Sequence, residues 1–166
     1  IKNRLGGTVN VVTRKPEPGW HAVPTLAAGS FDFLNPSLTA GRGGERLSAL
    51  AGYSQRRSDP FEDGAGRRFT EIANYRPEAQ GDRAFSIGTA WGRVVWQPAA
   101  GHQLDVAYTR QDSGAVLYPY LMMDALWDDT DRANLRYEAT GLGARRASVR
   151  VQGYFTQVDH WMTDER

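Results

Sequence analysis

An all-β fold is predicted for this chain, in the form of part of an antiparallel, membrane-spanning β-barrel. Apolar and polar residues alternate with a period of two through most of its 166 residues, the pattern of strands with two unlike faces. No stretch carries a convincing helical pattern. The connections between the predicted strands alternate between short and long.

The first two strands are read at about 21–31 and 35–42, where Leu38 and Ala40 alternate with Ser37 and Thr39. Gly43-Gly44-Glu45 is a short turn. Over 46–56, Leu47, Ala49, Ala51 and Tyr53 oppose Arg46, Ser48, Leu50, Gly52 and Ser54. Over 85–96, Phe85, Ile87 and Trp91 begin on one face, while Val94 and Trp96 fall on the other. Gly92 is read as a bulge that flips the register there. After the turn at 98–102, Leu104, Val106 and Tyr108 oppose Gln103, Asp105, Ala107 and Thr109 over 103–111. Residues 133–139 set Ala133, Leu135, Tyr137 and Ala139 against Asn134, Arg136 and Glu138. Following the turn at 141–144, strand 147–156 sets Ala147, Val149, Val151 and Phe155 against Ser148, Arg150, Gln152 and Thr156.

Longer loops are read at 57–82, at 112–130 and from 158 onward, so short and long connections fall at opposite ends of the strands. Outer-membrane barrels sort their connections in this way, with short periplasmic turns and long extracellular loops. A soluble sandwich shares the alternation but has no reason to sort loop length by parity. A soluble sandwich or lipocalin-like barrel stays open as the alternative. Trp96, just before a short turn, and Tyr53, Tyr108 and Phe155, near the far strand ends, suit aromatic girdles, and equally suit core packing.

Composition narrows the function classes. Twenty Lys+Arg against nineteen Asp+Glu give no field directed at nucleic acid. No apolar run approaches the ~18 residues of a membrane-spanning helix, which a β-barrel does not need. The absence of cysteine excludes disulfides and thiolate metal sites within these residues. Enzyme templates fare poorly, and no reaction is expected. Gly64-Ala65-Gly66 lacks the rest of a phosphate loop, and no nucleophile elbow is present. Asp128-Asp129-Thr130-Asp131 lacks the glycine and glutamate of a calcium loop.

Leu5-Gly6-Gly7-Thr8-Val9-Asn10-Val11-Val12-Thr13-Arg14-Lys15-Pro16 leads from two glycines through a short alternating strand to a proline. This run resembles the end of the plug domain of TonB-dependent outer-membrane receptors. The resemblance implies that 1–17 is the C-terminal end of a plug. Residues 18–166 would then be the first strands and loops of an incomplete barrel of the roughly 22-stranded plugged kind. The start at Ile1, inside the motif, is read as that of a fragment. The family further implies residence in the bacterial outer membrane, contact with its lipid, and no resident cofactor. It implies energised uptake of a scarce metal or metal chelate, driven by a TonB complex through a plug segment absent from this sequence.

Two predicted loops hold soft donors: Tyr118-Pro119-Tyr120-Leu121-Met122-Met123-Asp124-Ala125, and Val158-Asp159-His160-Trp161-Met162-Thr163-Asp164. By parity both lie at the same rim. Thioethers with an imidazole suit a thiophilic ion such as Cu(I), although methionine beside aromatics also simply packs. The two motifs look like those of the copper-receptor branch. That resemblance implies Met123 and Met162 as ligands of a transported copper ion, with His160 ligating beside them or orienting the site. Met122-Met123-Asp124-Ala125 departs from the glycine-flanked Met-Asp expected there. Receptors for ferric siderophores or cobalamin, a passive porin and a soluble β-barrel binding protein are the rival readings.

Overall fold

A computed structural model describes residues 16–72 and 75–164. Seven strands follow one another in an antiparallel meander: β1 Gly19–Gly29, β2 Phe33–Gly43, β3 Leu47–Ser58, β4 Phe85–Trp96, β5 His102–Val116, β6 Asp124–Leu142 and β7 Ala147–Thr163. They form one sheet in sequence order, and β1 and β7 are its two edges. The only helical pieces among the described residues are α1, Phe69–Ile72, and a 3-10 turn at Pro77–Gly81, both inside the β3–β4 connection. The fold is all-β and matches part of a barrel wall. The predicted plug end falls mostly on residues 1–15, outside the described residues.

The register carries the alternation across the whole sheet. Leu47, Trp96, Leu104, Tyr137 and Val151 form one cross-strand row from β3 to β7. The next row on the same face is Ala49, Val94, Val106, Leu135 and Gly153, continued by Arg42 and Trp20 on β2 and β1. Tyr53, Tyr108 and Phe155 lie on this apolar face further along, so aromatic side chains border it towards both strand ends. The opposite face is polar: Val95, Asp105, Arg136 and Gln152 form one of its rows.

No second layer covers either face among the described residues, yet the two faces differ in exposure. Ala40, Ala49 and Ala51 on the apolar face are exposed although small. Thr39, Ser48 and Gly52 on the polar face are half-buried, and Leu50 there retains only 2% of its surface. Side chains crowd together on the polar face as they do inside a curved wall. Trp91 illustrates the crowding: a Cβ on Gly52 would stand 2.6 Å from its indole ring.

The loop parity is largely as expected. At one end lie the short turns 44–46, 97–101 and 143–146, and at the other the connections 59–84 and 117–123. The β1–β2 turn at 30–32 departs from it, a tight turn at the loop end. Phe31 and Asp32 adopt positive φ of 60° and 50° there, as both central positions of a type I′ hairpin turn require.

Three expectations are corrected. Gly92 is not a bulge: Ala51 and Tyr108 pair with it in unbroken register, and the irregularity falls between Phe85 and Ile87 against β5. Phe85, Ile87 and Trp91 therefore lie on the polar face. The predicted loop at 112–130 shrinks to 117–123, because β5 runs to Val116 and β6 starts at Asp124. The predicted loop from 158 onward is strand as far as Thr163. Main-chain pairing continues past the apolar band, where neither face needs to be apolar.

Candidate metal centre at the loop end

The long β3–β4 connection folds back against the β5–β6 turn. Phe69, Tyr75, Ala79, Ala84 and Leu117 form a small buried cluster, with Phe85 against it. The rings of Phe61 and Phe69 are 4.8 Å apart, and those of Phe69 and Tyr75 5.7 Å. Backbone hydrogen bonds fasten the connection: the Ala84 N–H donates to the Ser58 carbonyl and the Leu117 N–H to that of Ala84, each at 2.9 Å. Asp124, the first residue of β6, is 7% exposed. Its Oδ1 accepts the Tyr118 N–H at 2.7 Å and the Tyr75 hydroxyl at 3.2 Å. Burial pushes the Tyr118 phenol above its ordinary value, keeping it protonated.

The sequence-predicted residues gather around this point. Met123 ends the 117–123 turn, directly before Asp124, and is partly exposed. Met162 stands on β7 opposite Ala125, one pair in from Asp124–Thr163. The register therefore brings Met123 and Met162 to the same end of two adjacent strands. His160 lies opposite Asp128 and two residues from Met162, so strand alternation puts both on one face. Contrary to expectation, His160 and Met162 are carried by a strand, which holds them more firmly than a loop would. Trp127 and Trp161 pair beside them with ring centroids 6.0 Å apart, and the Trp127 indole N–H reaches Asp159 at 3.4 Å. Among the described residues no three His, Asp or Glu side chains converge as a hard-donor metal site. A metal held here would rely on thioether sulfur, which favours a soft monovalent ion over Mg²⁺ or Ca²⁺.

Two charge networks escaped the sequence reading. On the polar face, Asp105 accepts a two-pronged contact from Arg93 at 2.9 and 2.7 Å and a third bond from Arg136 at 2.9 Å. Glu138 extends the chain to Arg150 at 2.6 Å. Beyond Tyr108 on the other face, Arg110 gathers Asp112, Asp129 and Asp131 at 2.6–2.8 Å, and the Tyr108 hydroxyl donates to Asp131. Opposite charges at cross-strand and diagonal spacing were the available signal for both, but using it needs the register. Asp124 carried no such signal, since its partner Tyr75 is 49 residues away.

No family model matches the chain, and no curated protein is significantly similar to it. Among solved structures it is similar to one titled "Copper transporter OprC", with a TM-score of 0.70 and 22% sequence identity over 92% of this chain. The match spans 22% of that chain's length. At this identity the likeness concerns the fold.

Proposed function

We propose that these residues are part of the barrel wall of a TonB-dependent outer-membrane receptor that takes up copper. Residues 18–166 supply wall strands and loops, and 1–17 are the end of a plug. The apolar face meets lipid and the polar face lines the lumen. Uptake is energised by a TonB complex acting through the plug, and the chain catalyses no reaction. The observation that carries the copper assignment is that Met123, in the turn just before β6, and Met162, on the adjacent β7, stand at the loop end of a sheet folded like part of a copper transporter. Copper is the cargo. The two thioethers take it from water at the outer rim, and His160, on the face of Met162, ligates or orients the site. Soft neutral donors let the ion leave once the plug moves, because no carboxylate charge has to be stripped from it.

The test is the Met123→Ala/Met162→Ala double variant of the full-length receptor. It should lose copper retention while still running as a folded, heat-modifiable barrel. Undiminished copper binding in that variant contradicts the assignment. A selective loss of ferric-siderophore or corrinoid uptake would move the protein to another receptor branch.

A further inference from the structure

Resting on that reading of the methionines, we propose that Asp124 is a positioning residue. It holds the 117–123 turn, and with it Met123, against the strand that carries Met162. Asp124 sits between the two candidate ligands in the register: it follows Met123 directly, pairs with Thr163, and precedes Ala125, which pairs with Met162. Its carboxylate is buried, which is costly unless its oxygens are hydrogen-bonded. Two bonds that it accepts are not part of the β-ladder. One comes from the Tyr118 main chain inside the turn, at 2.7 Å, and closes the turn onto β6. Another comes from the Tyr75 hydroxyl, at 3.2 Å, and ties the turn to the folded β3–β4 connection.

Both of these donors converge on one oxygen. Met123 is 41% exposed and is the last residue of the turn, so its position follows that of the turn. The turn is held from two directions through one atom. Alanine, which keeps no acceptor, should not substitute for Asp124.

The test measures Cu(I) affinity of the full-length receptor in detergent, by competition with a Cu(I) chelator under reducing conditions, together with the sulfur count around copper by X-ray absorption. Asp124→Ala should weaken Cu(I) about tenfold, the loss expected when a buried acceptor is removed, and should lower the sulfur count by one. In a Met123→Ala background, Asp124→Ala should add nothing, because residues acting through one another are not additive. Parental affinity in Asp124→Ala, or an undiminished effect in the Met123→Ala background, overturns the positioning role. If Asp124→Ala does not assemble, Tyr75→Phe serves instead. It should weaken Cu(I) by about threefold through loss of one donor, and parental affinity there overturns the inference. Unchanged binding in Met123→Ala alone would overturn the metal site itself, a result distinct from failure of Asp124.

Discussion

Replacing Asp105 with alanine should destabilise the assembled barrel by about 3 kcal/mol. Asp105 stands on the polar face of β5 with its side chain 9% exposed, and its partner Arg93 is 11% exposed. Three bonds disappear with it, two from Arg93 and one from Arg136. Removing one partner of a buried ion pair costs ~3–5 kcal/mol, because the other charge is left desolvated. The low end applies here, since Arg136 keeps Glu138 at 3.8 Å and a third of its surface in water. Arg67→Ala is the matched control: it removes an equally short contact, 2.7 Å to Asp63, from a side chain that is 64% exposed. An exposed pair of that kind is worth ~0–1 kcal/mol. Equilibrium unfolding of the full-length protein in lipid vesicles by denaturant gives both values. Equal losses for the two variants would refute the reasoning, because the polar face would then not be a sequestered inner wall.

Gly52→Val should cost ~1–3 kcal/mol, since any Cβ meets the rigid Trp91 ring, whereas Gly92→Ala, whose Cβ would meet nothing nearer than 3.9 Å, should be close to neutral in the same unfolding assay. The β3–β4 connection should loosen in acid. The Arg67 backbone N–H, followed by the Arg67 side chain and the Ala65 N–H, holds the Asp63 carboxyl below its ordinary value of 3.8. A depressed carboxylate stabilises above its unfolded pKa and loses that contribution as pH falls through the folded value. Amide exchange around Ala65 and Arg67 should therefore hold steady from neutral pH down to the ordinary carboxylate range and rise only below it. A rise near pH 6 would rule out Asp63 as the cause.

The strands were legible in sequence wherever one face is apolar. Val106, Leu135 and Val151 announce β5, β6 and β7 because alternation reports two unlike environments. The signal ends where the environments become alike. Gln111 pairs with Thr130, Asp131 with Gln157 and Asp129 with Asp159, so the ladder runs on through residues that look like loop. That is why His160 and Met162 were expected on a loop and stand on a strand. Gly92 misled for a different reason: Trp91 and Ile87 are apolar on the polar face, and a glycine nearby invited a register flip. That Met123 and Met162 stand at the same end was legible from hairpin topology alone, because two strands that run down and back return to the same end. Asp124 was not, since only the folded β3–β4 connection brings Tyr75 to it.

Which face meets lipid decides the account most directly. No cysteine among these residues competes with an introduced one, so single cysteines can be placed at Val106, Leu135 and Val151, and at Ala107, Asn134 and Gln152, in the full-length protein in membranes. The first three should react with a lipid-phase label and be protected from a water-soluble one, and the second three should not take the lipid-phase label. Lipid-phase labelling at Ala107, Asn134 and Gln152 instead, with Val106, Leu135 and Val151 silent, would contradict a membrane-spanning wall with a polar lumen.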